Sequence, residues 1–134
     1  MGYYVTMKKI PISTDKAPAA IGPYEQAIRA GNFIFTSGQI PIDPSTNKLI
    51  EGDISQQTKR VMENLKAVLE ASGSSFKNVI KATVFMADLK NFEQVNKIYS
   101  EYFPDSKPAR STIQVSALPK GAAIEIEMIA ISED

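Results

Sequence analysis

Ala122-Ala123-Ile124-Glu125-Ile126-Glu127-Met128-Ile129-Ala130-Ile131 alternates with a period of two near the C-terminal end of the chain. Ile124, Ile126, Met128 and Ala130 fall on one side, and Glu125, Glu127, Ile129 and Ile131 on the other, so the run reads as a β-strand. Two carboxylates inside an otherwise apolar strand stand out. One reading is an edge strand, where charge guards against aggregation. Against it, Ile129 and Ile131 share the glutamate side, which is therefore not wholly solvated.

Upstream of this strand the remaining elements follow in order. Residues 79–86 are largely apolar, with Val79, Lys81, Thr83 and Phe85 alternating against Ile80, Ala82, Val84 and Met86, as in a central strand. Before it, Ile54, Thr58, Val61, Leu65, Val68 and Leu69 form one stripe at helical period. Asp53 with Gln56 fits a capping box at its start, and Gly73 a C′ residue at its end. A second helix begins after Asn91, with Gln94 at the capping-box spacing. Phe92, Val95, Ile98, Tyr99 and Tyr102 lie on one face of it, and Pro104 stops it. In the N-terminal third, residues 10–12 suggest a short edge strand. Gly31-Asn32 predicts a hairpin between residues 27–30 and 33–37. Residues 41–52 read as a polar loop. The order is β-β-β-α-β-α-β-β, an α+β domain with two helices on one face of a single mixed sheet. The other face is then apolar and uncovered, which predicts oligomerisation through it.

Composition narrows the chemistry. A chain of 134 residues, 43% hydrophobic and 22% charged, is one soluble domain by size, with residues 1–7 a short N-terminal extension. Fifteen basic and fifteen acidic residues cancel, so no global field favours nucleic acid or an anionic membrane. The chain has no cysteine and no histidine. That removes disulfides, thiolate nucleophiles, Ser-His-Asp triads and most transition-metal sites, and no metal or cofactor is expected. Acid–base work near neutral pH must come from carboxylates, lysine, tyrosine, backbone groups or water. No apolar run approaches the roughly 18–20 residues of a membrane span, and no signal-peptide core is present, so a cytoplasmic protein is expected.

Pro108-Ala109-Arg110-Ser111-Thr112-Ile113-Gln114-Val115 places one of three arginines where a helix has ended and a strand begins. The planar guanidinium of Arg110 is a fork for a carboxylate or phosphate, and a surface salt bridge is the plainer alternative. Tyr24, behind the Gly22-Pro23 turn, is either a core tyrosine or a hydrogen-bond donor held near that turn. Gly38 closes a strand, permitting a bulge or a close approach by a ligand. Asn96 lies beside the second helix's apolar stripe, where an exposed amide is usually idle.

These segments together resemble the reactive intermediate/imine deaminase family (Rid, or YjgF). The matching blocks begin with Ala17-Pro18-Ala19-Ala20-Ile21-Gly22-Pro23-Tyr24-Glu25-Gln26-Ala27 and Phe35-Thr36-Ser37-Gly38-Gln39-Ile40-Pro41. They continue through Lys81-Ala82-Thr83-Val84-Phe85 with Asp88-Leu89, Phe92-Glu93-Gln94-Val95-Asn96 and Pro108-Ala109-Arg110-Ser111. The last are Leu118-Pro119-Lys120-Gly121 and Ile124-Glu125-Ile126-Glu127. The resemblance implies a chorismate-mutase-like fold and a homotrimer with a central barrel, its ligand sites lying between subunits. It further implies cofactor-free hydrolysis of enamines and imines, such as 2-aminoacrylate and 2-imino acids, to 2-keto acids and ammonia.

On this resemblance Arg110 is the carboxylate clamp, Glu125 the acid associated with water, and Tyr24, Gly38 and Asn96 pocket residues. Thr112 falls where many members have cysteine, which removes a thiol but keeps a small side chain. Partial burial beside Ile129 and Ile131 should raise the pKa of Glu125. Two other functions compete. One is a keto-acid binding or regulatory module without turnover. The other is an RNA-directed ribonuclease or translation inhibitor, against which zero net charge and the absence of histidine argue.

Overall fold

The structure is a computed structural model and describes residues 7–133. The N-terminal extension expected over residues 1–7 lies, apart from Met7, outside the described residues. A six-stranded sheet runs in the order β1 (Lys9–Ile12), β2 (Ala27–Ala30), β3 (Phe33–Thr36), β8 (Ile124–Ile131), β6 (Val79–Met86) and β7 (Ala109–Gln114). All pairings are antiparallel except β6 with β7, which are parallel, so the sheet is mixed. Helices α1 (Ile54–Ala71) and α2 (Phe92–Glu101) pack against one side of it.

The core lies between helices and sheet. Val61, Leu65, Val68 and Leu69 from α1 meet Ile34, Val84, Ile124, Ile126 and Met128, all fully or almost fully buried. The period-two alternation of β8 is realised: Ile124, Ile126, Met128 and Ala130 point at the helices, and Glu125, Glu127, Ile129 and Ile131 do not. β8 is central, however, flanked by β3 and β6, so the edge-strand reading of its carboxylates is overturned. The opposite sheet face leaves Phe33, Phe35 and Ile113 about half exposed, as the sequence predicts for an uncovered face.

Local chemistry explains most element ends. Asp53 accepts from Gln56 N at 2.9 Å while Gln56 Oε1 accepts from Asp53 N at 2.9 Å, a complete capping box. Helix α1 ends in a Schellman turn, with Gly73 N donating to Glu70 O and Ser74 N to Leu69 O around a Gly73 φ of +83°. The Gly31-Asn32 hairpin forms with Ala30 opposite Phe33, Gly31 supplying the positive φ of +59°.

Three expectations need correction. The capping box foreseen for α2 does not form. Asn91 makes no side-chain cap bond, because it is the last residue of a 3₁₀ turn (Leu89–Asn91) whose own start is capped by Asp88 accepting from Lys90 N. The loop at 41–52 contains a small hairpin, β4 (Ile42–Asp43) with β5 (Lys48–Leu49). Buried Asn64 of α1 fastens it by donating to Ile42 O at 2.9 Å. A register shift between Val79 and Lys81 in β6 turns Val79 into the core and leaves Ile80 exposed, reversing the faces predicted for those two residues.

Replacing Asp53 with alanine removes the carboxylate that caps α1. Stability should fall by about 1 kcal/mol, read as a lower urea midpoint at unchanged m value.

Candidate active site

The predicted site residues fall into two groups. The first lies where α2 crosses the outer strand β7. Arg110 Nη1 donates to Asn96 Oδ1 at 2.8 Å. The guanidinium carbon of Arg110 also sits 4.8 Å from the Tyr99 ring centroid and 5.5 Å from that of Phe92. Phe92, Asn96 and Tyr99 are spaced four and three residues apart, so one face of α2 forms the whole seat. Each cation–π contact contributes about 0.5–1 kcal/mol. Burial pushes the Tyr99 phenol up to about 12, partly opposed by the Arg110 charge, so the ring stays neutral beneath the cation.

Asn96 is therefore not idle. Nor is Arg110 in a surface salt bridge: among the described residues no carboxylate pairs with it. A cavity of about 350 Å³ opens beside it, lined also by Ser100, Phe103, Lys107 and Pro108. Thr112 lies two residues further along the same face of β7, its hydroxyl buried without a hydrogen-bond partner among the described residues.

The second group surrounds Glu125. β3 pairs with β8 as Phe35 with Ile129, but further along Gln39 bridges Ile126, so one extra residue is inserted on the β3 side. Thr36 takes up the lost ladder bond, its hydroxyl accepting from Met128 N at 2.9 Å. At this bulge the Glu125 side chain lies across Gly38. A Cβ there would come within 2.8 Å of the carboxyl carbon and 3.0 Å of Cγ, so a side chain at 38 would displace the carboxylate from this position. A cavity of about 380 Å³ joins Glu125 and Gly38 with Tyr24, Pro119 and Lys120.

Tyr24 is 52% exposed, so it is not a core tyrosine. Its backbone N–H donates to Gly22 O at 2.9 Å around Pro23, which holds it at the rim. Buried Gln26 braces the same rim, donating to Pro18 O at 2.8 Å and accepting from Thr14 N at 2.7 Å. Burial pushes the Glu125 carboxyl above its usual range, and the neighbouring Glu127 charge adds to this.

Register decides how the groups relate. Arg110 is opposite Ala82 and Thr112 opposite Val84, both buried beneath the helices, whereas Glu125 is opposite Phe85 and Glu127 opposite Thr83 on the uncovered side. Arg110 and Glu125 thus stand on opposite faces of the sheet, two strand spacings or about 10 Å apart laterally. One chain does not bring them together. A further depression of about 670 Å³ between β1 and the end of α1 contains none of these side chains. Among the described residues no cluster of three or more acidic or other potential metal ligands occurs, and no helix is long and apolar enough to cross a membrane.

The family described as Endoribonuclease L-PSP matches residues 14–132. The chain belongs to this family, the YjgF/RidA family. Within it, a RutC family protein of Pyrococcus abyssi is 57% identical over 127 residues, covering 95% of this chain and 100% of the relative. The human 2-iminobutanoate/2-iminopropanoate deaminase is 49% identical over 120 residues, covering 90% and 88% respectively. Among solved structures, E. coli TdcF with bound serine superposes with a TM-score of 0.88 at 43% identity, covering 94% of this chain and all of that one. The Rid resemblance and the fold it implies are thereby established.

Sequence reasoning missed Phe92 and Tyr99 as the seat of Arg110, because their helical spacing reads equally well as core. Gln26 and Lys120 were visible only inside family blocks.

A raised carboxyl has a linked stability effect. Below the ordinary value of 4.5 both folded and unfolded Glu125 are protonated, and the favourable contribution of the buried neutral acid is whole. As pH climbs through the raised folded value, that contribution is lost. Glu125→Gln, which does not ionise, should match the parent below this window and become the more stable of the two above it. Thermal melts across a pH series read the crossing.

Proposed function

We propose that this chain hydrolyses 2-imino acids and their enamine tautomers to 2-keto acids and ammonia, as a 2-iminobutanoate/2-iminopropanoate deaminase. The observation that carries this reading is Arg110: a guanidinium pre-oriented by Asn96, Tyr99 and Phe92, facing a cavity and lacking an acidic partner among the described residues. Such a fork suits a small carboxylate. The names of the human relative and of serine-bound TdcF agree with an amino-acid-like ligand.

Arg110 would clamp the substrate carboxylate and thereby fix C2 relative to water, the positional part of the catalysis. Asn96 would hold the fork, with Thr112 beneath it. Glu125 as carboxylate takes a proton from water as the oxygen bonds to C2 of the protonated imine, and the C=N electron pair moves to nitrogen. Protonated Glu125 then gives that proton to the amine of the carbinolamine. The C–N bond breaks, ammonia leaves, and the hydroxyl oxygen becomes the keto oxygen as its proton passes to the regenerated Glu125 carboxylate and from there to solvent. An enamine enters the same route after protonation at its terminal carbon. A carboxyl with a raised pKa suits both proton transfers, since it is a stronger base than an ordinary carboxylate and can still donate. Gly38 gives Glu125 room, and Tyr24 lies at the mouth of the same cavity.

Because Arg110 and Glu125 face opposite ways in one chain, the working site on this reading joins the Arg110 group of one copy to the Glu125 group of the next. Three copies with their uncovered sheet faces turned inward would bury Phe33, Phe35 and Ile113 in a barrel. The formal charge of zero and the absence of histidine do not favour RNA cleavage, despite the family's description.

Arg110→Ala should abolish ammonia release from enzymatically generated 2-aminoacrylate while leaving the circular dichroism spectrum unchanged; turnover near that of the parent would sink the clamp. With Glu125→Gln the rate should fall at least about tenfold, and the acid limb of the pH–rate profile, set above the ordinary carboxylate range, should vanish. If the protein only binds keto acids, the parent will leave the spontaneous rate untouched. Phe35→Glu places charge on the uncovered face, and sedimentation should then show monomers without deaminase activity.

A further inference from the structure

The cavity beside Arg110 holds a second cation that the mechanism does not use. Lys107 lines it together with Arg110, and no acidic residue does. Among the described residues neither cation has a carboxylate partner. Lys107 is exposed, but its backbone is braced. Pro108 follows it and restricts it to extended conformations, and Ser106 Oγ donates to Lys77 O at 3.0 Å. Phe103 and Pro108 add apolar surface to the lining of the same cavity. Two cations and apolar surface in one cavity complement a short methylene chain with an anionic group at each end. A volume of about 350 Å³ has room for a four- or five-carbon diacid.

We infer that the imino acids this site favours carry a second carboxylate, held by Lys107 while Arg110 holds the first. The inference deepens the deaminase reading and rests on it for turnover, though not for binding. Lys107 is a specificity residue here: it takes no part in the proton transfers.

The test presents two imines to the full chain. A flavin amino-acid oxidase converts glutamate to 2-iminoglutarate and 2-aminobutanoate to 2-iminobutanoate, and keto-acid release above the spontaneous rate is followed. The parent should prefer the diacid by about fivefold in kcat/KM, carried by KM, as one exposed ion pair allows. In Lys107→Gln the ratio of the two kcat/KM values should fall to about one, in Lys107→Glu it should invert, and in the parent added salt should reduce it. If 2-iminobutanoate is hydrolysed but the diacid is no better, or if the ratio survives Lys107→Gln, the inference is overturned and the deaminase reading stands. If neither imine is accelerated, the deaminase reading fails, and calorimetry decides the pocket. Tighter binding of 2-oxoglutarate than of 2-oxobutanoate, lost in Lys107→Gln, supports it; equal or absent binding overturns it.

Discussion

The pairing of β8 with β3 on one side and β6 on the other is the constraint on which the rest depends. It commits Ile124, Ile126 and Met128 to the core, and the period of two then drives Glu125 and Glu127 to the far face. Because β7 joins in parallel register on β6, the same alternation sends Arg110 to the helix side. A slip of one residue in either pairing would expose the core face and exchange the sides of these charges. Register thus fixes hydrophobic burial and the placement of the polar groups at once.

The two charged groups are handled in opposite ways. Arg110 stays exposed yet ordered, spread across two rings and one amide. Glu125 is half-buried beside another carboxylate and is held from ionising at its ordinary pH. Within one chain the two charges do not pair, because register puts them on opposite faces. On the proposed reading, a second copy supplies the missing surroundings of each and covers the half-exposed phenylalanines.

Much of this was legible in the sequence. Both helices follow from their apolar stripes, and the first is bounded by residues whose caps form as their spacing predicts. The fold class follows from element order, and Gly38 was marked as a bulge or a close approach by a ligand; it lies beside a bulge, and the side chain that approaches it is that of Glu125. What escaped was whatever depends on neighbours. Alternation in 124–131 identifies a strand but not its place in the sheet, so the edge reading survived until the pairing was known. The shift at Val79 to Lys81 leaves alternation in the sequence undisturbed. The strands of the 41–52 hairpin are two residues long, too short for any period to register. That Arg110 and Glu125 lie on opposite faces follows from register alone, which no single segment encodes.

The seat of Arg110 also changes what happens when a ligand arrives. A free arginine side chain holds about 2 kcal/mol of rotamer entropy, and a flexible one surrenders it on binding. Here Asn96, Tyr99 and Phe92 have already withdrawn most of those rotamers during folding. On the proposed reading a substrate carboxylate meets a fork with few conformations left to lose, so its association would be governed by enthalpy and by how quickly water leaves the guanidinium edge.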